Sequence, residues 1–205
     1  MLLIFDLDGT LFQAKPVVLL AVTRLFKKLD APLPSEGAIL KNAGRGAVKM
    51  LLGVLPDGIS ASAVMPLYYQ QMRAAILESG ELFPGVKEAL AMLSSDGHEL
   101  VICSNSPMIY IELVLKHTGI SGYFSRCYST EGYASKAARV KDILPHGMPA
   151  AVIGDTHGDV SAAHDNNLPA IAASYGYGNK GMLAAADYFA AEPLEIADCV
   201  RALMA

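Results

Sequence analysis

Two carboxylates stand two positions apart, directly after the first apolar run of the chain. Leu2–Phe5 is a run of strand-forming residues, and it leads into Asp6 and Asp8 before a Gly-Thr turn. An uninterrupted apolar run of this kind predicts a strand covered on both faces, as in a parallel sheet. Neighbouring carboxylates repel unless a proton or a cation lies between them, and Mg²⁺ is a cation that prefers oxygen ligands. A lone Asp-x-Asp pair is more often a solvated turn, so the interpretation depends on the rest of the chain.

Further polar clusters follow two other runs that we predict to be buried strands. These clusters are Ser104-Asn105-Ser106 after the run 100–103, and Asp155 and Asp159 after the run 150–153. Lys136 stands between them in sequence, at the start of a helix that Ser135 can cap. The carboxyl ends of parallel strands lie at one edge of a sheet, where open α/β folds bind ligands. We therefore expect these side chains to converge on one site.

This set of residue types suits the transfer of a phosphoryl group. A carboxylate can attack phosphorus to form an aspartyl-phosphate. A bound Mg²⁺ reduces the repulsion between the two anions, and a lysine with backbone donors stabilises the charged oxygens. A second acid can protonate the leaving alkoxide and later deprotonate water.

The elements that must position these residues fall into two groups. Residues 15–80 show helical periodicity and little strand signal, and we predict one helix before Asp30, a second over 36–55 and a third over 61–79. From residue 81 onward, apolar strands alternate with helices, which predicts a mostly parallel sheet with helices on both faces. We expect a Rossmann-like α/β core formed by 1–14 and 81–205, with 15–80 as an inserted helical subdomain.

The four clusters, in this order, resemble the four motifs of the haloacid dehalogenase-like hydrolase superfamily, and the inserted helices resemble its helical cap. The motif residues are Asp6-Leu7-Asp8-Gly9-Thr10-Leu11, Ser104-Asn105, Lys136, and Gly154-Asp155 with Asp159. Phrases in the second half are similar to those of the phosphoglycolate phosphatase-like branch. They are Leu82-Phe83-Pro84-Gly85-Val86, Tyr175-Gly176-Tyr177-Gly178, Ala186-Asp187-Tyr188 and Pro193-Leu194-Glu195.

The resemblance implies roles for the acids. Asp6 would be the nucleophile and a Mg²⁺ ligand, and Asp155 would be a second ligand. Asp8 would be the general acid and base, with its backbone carbonyl on the metal. Members that remove halides lack this second acid, so Asp8 favours phosphate chemistry.

The resemblance also implies which residues hold the substrate. Thr10, Ser104 and the Asn105 backbone would bind the phosphate, and Lys136 would neutralise it. Asp159 would orient the water shell of the metal or Lys136. The activity implied is a Mg²⁺-dependent phosphatase for a small phosphorylated metabolite, such as phosphoglycolate or a sugar phosphate.

Several alternatives stay open at this point. Lys141 is a rival for the motif lysine, although it lies a turn deeper in the helix. Asp159 also fits an acid that complements a helix N-terminus. Arg45, between two glycines of the cap, is either a contact for an anionic substrate or a solvated surface residue. A phosphomutase, a phosphonate hydrolase and a non-catalytic regulatory relative are the other functions that this scaffold permits.

Composition limits the partners. The 205 residues carry a net charge of −4 without a basic stripe, so a nucleic acid is not expected as a partner. No apolar run reaches the length of about 20 residues that a membrane span needs. Three widely spaced cysteines and the lack of a basic region before the first apolar run predict a cytosolic protein. We expect a monomer or a homodimer.

Overall fold

A computed structural model describes residues 1–43, 46–144 and 148–205, and these form two compact units. The larger unit consists of Met1–Phe12 and Leu82–Ala205, and the smaller unit is Gln13–Glu81. The chain therefore leaves the larger unit once and returns to it once.

The larger unit is built on a six-stranded sheet in which every neighbouring pair of strands is parallel. The strands lie in the order β3-β2-β1-β4-β5-β6. Their bounds are β1 Leu2–Phe5, β2 Glu99–Cys103, β3 Phe124–Tyr128, β4 Ala150–Gly154, β5 Ala170–Ala173 and β6 Tyr188–Ala190. The residues of β1 are fully buried at the centre of this sheet, as expected for a strand covered on both faces. The predicted α/β fold with a mostly parallel sheet is confirmed.

Ten α-helices accompany the sheet in the described part of the chain. In the smaller unit they are α1 Ala14–Lys28, α2 Glu36–Ala43, α3 Ala47–Leu52 and α4 Ala61–Ser79. In the larger unit they are α5 Val86–Ser95, α6 Met108–Thr118, α7 Lys136–Ile143, α8 His157–His164, α9 Lys180–Leu183 and α10 Glu195–Met204. A 3₁₀ turn at Ser121–Tyr123 precedes β3. No helix in these ranges is both long and apolar enough to cross a membrane.

The smaller unit is helical throughout its regular elements. Helices α1 and α4 pack against each other, and an ion pair joins Arg24 to Glu78 with a distance of 2.7 Å between nitrogen and oxygen. The sequence predicts one helical stretch over 36–55, whereas the structure has two helices, α2 and α3, within that range. Gly46 precedes α3 with a φ of 90°, a conformation that favours glycine and does not continue a helix.

The two ends of the inserted chain are paired with each other. Phe12 and Leu82 form an antiparallel bridge on the side of the larger unit. On the side of the smaller unit, the N–H of Gln13 donates to the carbonyl of Glu81 at 2.9 Å. The first and last residues of the inserted chain are therefore adjacent in space.

Local caps fix where the helices beside the strand ends begin. The hydroxyl of Ser135 accepts the N–H of Ala138 at 3.1 Å, which starts α7 at Lys136. The carboxylate of Asp159 accepts the N–H of Thr156 at 3.0 Å, which forms one half of a capping box at the start of α8. Both caps therefore set the position of a residue that the sequence predicts to be functional.

Removing the cap of α7 tests this account of the fold. We expect Ser135→Ala to lower the free energy of unfolding by about 1 kcal/mol, because the N–H of Ala138 loses its acceptor. Urea unfolding followed by circular dichroism measures the change. Ser94→Ala, at an exposed position near the end of α5, is the control and should cost nothing. Equal stability of the two variants would contradict the capping role.

Candidate active site

Three buried carboxylates meet at the carboxyl edge of the sheet. Asp6 follows β1, Asp155 follows β4 and Asp159 lies in the first turn of α8. One carboxylate oxygen from each lies within 4.8 Å of the others. Their exposed fractions are 7%, 0% and 2%, so water does little to screen their mutual repulsion. Buried charges of one sign need a compensating cation.

Strand register explains why these acids meet. Phe5 pairs with Ile102 of β2 on one side and with Ile153 of β4 on the other. The polar residues that come directly after the three strands are therefore placed side by side. The N–H of Asp6 donates to the carbonyl of Ile153 at 2.8 Å, which continues this pairing past the end of β1.

Lys136 supplies one positive charge to the cluster. Its Nζ donates to Asp6 Oδ1 at 2.5 Å and also to Asp159 Oδ1. Burial lowers the pKa of Lys136, but the negative charges of Asp159 and Asp6 outweigh that effect and raise the pKa overall. The rival Lys141 is exposed on the same helix. The structure thus brings Lys136, and not Lys141, to the acids.

The pKa values of Asp6 and Asp155 stay raised despite the positive charge of Lys136. Burial raises the pKa of Asp6 well above its ordinary value, and Lys136 offsets only part of the effect. Burial and the charge of Asp159 raise the pKa of Asp155 to about 6. One lysine is therefore not enough to neutralise three carboxylates at this edge.

The oxygen atoms of Asp155 fit a divalent cation. Its Oδ2 accepts the N–H of Tyr177 at 2.7 Å, while its buried Oδ1 has no hydrogen-bond partner within the described ranges. A buried carboxylate oxygen without a partner is costly, and a metal ion would satisfy it. Three carboxylates in reach of one another are hard oxygen donors of the kind that Mg²⁺ binds.

Glycines let the chain pass close to Asp155. A Cβ atom at Gly9 or Gly176 would overlap the Asp155 side chain, and one at Gly178 would overlap its backbone oxygen. Gly9 also has a φ of 90°, so it needs the left-handed region that glycine enters freely. This close approach gives a physical reason for the Tyr-Gly-Tyr-Gly phrase, because its backbone carries the N–H that holds Asp155.

The residues expected to bind phosphate lie near the same edge. Ser104, directly after β2, is buried, and its hydroxyl accepts the N–H of Ser106 at 3.2 Å. Thr10 is fully buried, and its Oγ1 has no hydrogen-bond partner among the described residues. Its carbonyl accepts the hydroxyl of Tyr175 at 2.7 Å. Asn105 is exposed, and its side-chain oxygen accepts from the guanidinium of Arg139.

Asp8 stands apart from the three-acid cluster and is held by two hydroxyl groups. Ser106 Oγ donates to Asp8 Oδ2 at 2.8 Å, and Tyr110 OH donates to Asp8 Oδ1 at 2.7 Å. Burial raises the pKa of Asp8, and these two hydrogen bonds lower it by less. Asp8 therefore has an environment of its own, as a separate acid–base group requires.

Sequence reasoning placed Ser106 in the polar cluster after β2 without giving it a role, and it did not single out Tyr110 or Arg139. Arg139 could have been found from helical periodicity. The buried face of α7 contains Lys136 and Arg139 together with Val140 and Ile143, a spacing of i, i+3, i+4 and i+7. Two cations on a buried helical face need anionic or polar partners. Arg45, the predicted cap contact, lies outside the described residues.

Comparison with known proteins gives the family of the chain. The model of the haloacid dehalogenase-like hydrolase family matches residues 3–173, so the chain belongs to this family. It is similar to the phosphoglycolate phosphatases of Colwellia psychrerythraea and Pseudomonas putida. The first is 26% identical, and the match covers 85% of this chain and 84% of the relative. The second is 29% identical, and the match covers 99% of this chain and 78% of the relative.

A solved structure agrees with the sequence relatives. A haloacid dehalogenase-like family hydrolase from Streptococcus pneumoniae superimposes with a TM-score of 0.85 and 27% identity, and the match covers 97% of each chain. The predicted membership of the superfamily, with likeness to its phosphoglycolate phosphatase branch, is confirmed.

The glycine contact leads to a prediction. We expect Gly178→Ala to lower the free energy of unfolding by about 1–3 kcal/mol or more, because the new methyl group displaces the backbone of Asp155. Thermal unfolding measures the loss. Gly37→Ala is the matched control, since a Cβ at this position of α2 meets nothing within 4 Å. That change should be neutral or stabilising by up to about 1 kcal/mol, and a similar loss in both variants would refute the close approach.

Proposed function

We propose that this chain is a Mg²⁺-dependent phosphatase that hydrolyses a small phosphorylated metabolite, of the phosphoglycolate or sugar phosphate type, through an aspartyl-phosphate. The family and the names of its relatives support a hydrolase of phosphoric monoesters. The observation that carries the proposal is the buried cluster in which Lys136 bonds Asp6 and Asp159, while one Asp155 oxygen has no partner among the residues that the structure describes.

Asp6 and Asp155, with the backbone carbonyl of Asp8, would hold the metal, and Asp159 would support it. When bound, Mg²⁺ supplies the positive charge that lets a carboxylate approach an anionic phosphate. The three buried acids carry more negative charge than Lys136 neutralises, so a cation fits among them.

In the first half of the reaction, one bond forms and one bond breaks. An oxygen of Asp6 attacks phosphorus, and the bond from phosphorus to the alcohol oxygen breaks. The protonated carboxyl of Asp8 gives its proton to that leaving oxygen, so the product is a neutral alcohol. Lys136, Ser104, Thr10 and the backbone of Asn105 hold the other phosphate oxygens.

The second half restores the enzyme. The Asp8 carboxylate takes a proton from water as the water oxygen attacks phosphorus, and the bond between phosphorus and Asp6 breaks. Inorganic phosphate leaves, Asp6 is again a carboxylate and Asp8 is again protonated. An acid of this kind is needed for an alkoxide leaving group, which is why Asp8 favours phosphate ester hydrolysis.

The smaller unit Gln13–Glu81 is our candidate for the cap that sets substrate specificity. An insertion of this size between the first two motifs suits a lid that excludes bulk water during the reaction. A contact from Arg45 to the substrate, a monomeric or homodimeric assembly and a cytosolic location stay predictions of the sequence.

Replacement of the nucleophile tests the proposed reaction. We expect Asp6→Asn to lower the rate of phosphate release by about three orders of magnitude or more, because an amide does not attack phosphorus. A panel of phosphorylated acids and sugars with Mg²⁺, assayed for inorganic phosphate, gives the measurement. Asp165→Asn, an exposed change at the end of α8, should leave the rate unchanged.

Two results would count against this proposal. One is a wild type as inert as Asp6→Asn across the whole panel. The other is labelled phosphate that moves to a phosphorylated acceptor and never reaches water, which would indicate a phosphomutase.

Metal binding can be tested without turnover. We expect Mg²⁺ at about a hundredfold excess over its Kd to stabilise the wild type by about 2.7 kcal/mol. Asp155→Asn should lose this gain and be at least as stable as the wild type without metal, because it removes one of three repelling charges. Thermal unfolding with and without Mg²⁺ gives both values. An equal Mg²⁺ gain in Asp155→Asn and in the control Asp165→Asn would exclude the site.

A further inference from the structure

We infer that Ser106 and Tyr110 are positioning residues that hold the Asp8 carboxyl where it exchanges protons with the leaving oxygen and with water. The inference rests on the proposed function and adds two residues to its machinery. Ser106 lies in the polar cluster after β2, where the sequence gives it no role, and Tyr110 belongs to none of the motif clusters.

Both oxygens of the Asp8 carboxylate are held. Tyr110 donates to Oδ1 at 2.7 Å and Ser106 donates to Oδ2 at 2.8 Å, so one hydroxyl bonds each side of the group. Two bonds to different oxygens fix the rotation of the carboxylate as well as its place. A group held by one bond would keep the freedom to turn about its own axis.

The two hydroxyls come from a part of the chain that is itself fixed. The N–H of Tyr110 donates to the carbonyl of Pro107 at 3.0 Å in the first turn of α6. The carbonyl of Ser106 accepts the N–H of Thr130 at 3.4 Å, and its own N–H donates to Ser104 Oγ. The partners of Asp8 are therefore held by their own backbone bonds, as precise positioning requires.

Ser106 connects two halves of the site. Its hydroxyl bonds Asp8, the proposed proton donor, while its N–H bonds the hydroxyl of Ser104, a proposed phosphate ligand. A single residue thus bonds both the proposed proton donor and a proposed phosphate ligand. Displacement of a catalytic group by about 1 Å is enough to lower a rate about a hundredfold.

Hydroxyl groups also suit an acid that must change its state twice in each cycle. A serine or tyrosine hydroxyl donates to a carboxylate and accepts from a protonated carboxyl, whereas a lysine or a backbone N–H only donates. The same two partners therefore hold Asp8 before and after each proton transfer.

The test compares two substrates that differ in their need for a proton. An alkyl phosphate releases a basic alkoxide and depends on the general acid, whereas p-nitrophenyl phosphate releases a stable phenolate and depends on it far less. The value of kcat/KM is measured with Mg²⁺ for the full chain. The value of kcat/KM reflects only the steps up to the release of the alcohol, so the later hydrolysis of the aspartyl-phosphate does not affect it.

We expect Tyr110→Phe and Ser106→Ala to lower kcat/KM for the alkyl phosphate by about tenfold to a hundredfold. The value for p-nitrophenyl phosphate should change little. Ser106→Thr restores a hydroxyl and should recover the wild-type ratio of the two substrates. In an Asp8→Asn background, Tyr110→Phe should have no further effect on that ratio, because the group that it positions is already gone.

Matched controls remove the same kind of bond elsewhere. Tyr133→Phe deletes a hydroxyl that donates to the exposed Asp142 at 2.6 Å, and Ser125→Ala deletes one that donates to Glu99 at 2.7 Å. Both should leave the substrate ratio unchanged.

The outcomes separate the inference from the proposed function. A wild type inert toward both esters would overturn the proposed function and this inference with it. An active wild type whose Tyr110→Phe and Ser106→Ala variants lose both activities equally would overturn the inference alone, since the hydroxyls would then serve only the structure. Faster turnover of the alkyl phosphate in these variants would also overturn it, because Ser106 and Tyr110 would then restrain Asp8 away from its task.

Discussion

Mutual repulsion among three buried carboxylates is the constraint on which the site depends. Asp6, Asp155 and Asp159 lie within reach of one another at an edge where water is largely excluded. Such a cluster is stable only where opposite charge and hydrogen-bond donors surround it. Lys136 and the N–H of Tyr177 supply part of that compensation. The second oxygen of Asp155 has no partner in the described part of the chain, and a metal ion would supply one.

The sheet creates this constraint because β1 lies between β2 and β4 in register. Three parallel strands that end at the same level place three polar clusters side by side, and the chain has little freedom to separate them. This is why the convergence of the site was predictable from the sequence. Each apolar run and the polar residues after it are adjacent in the chain. Because parallel strands end at one edge of a sheet, the polar residues must lie close together.

Contacts between distant parts of the chain were not predictable in this way. The bonds from Ser106 and Tyr110 to Asp8 join residues about a hundred positions apart, and no local periodicity encodes them. Gly178 looks like an ordinary loop glycine until the backbone of Asp155 is seen against it. The stretch 36–55 was predicted as one helical stretch, whereas Gly46, with its positive φ, immediately precedes a separate helix, α3. Local signals therefore located the acids, while their supporting contacts needed the structure.

The paired ends of the inserted chain bear on how such a protein can be altered. The N–H of Gln13 donates to the carbonyl of Glu81, and the adjacent residues Phe12 and Leu82 form an antiparallel bridge. The entropy cost of closing a loop grows only slowly with its number of residues. Inserts of different lengths can therefore join the same two adjoining ends. Under the proposed function, chimeras that carry a different insert between Phe12 and Leu82 would change substrate choice while leaving the sequence of β1 and of the three acids as it is.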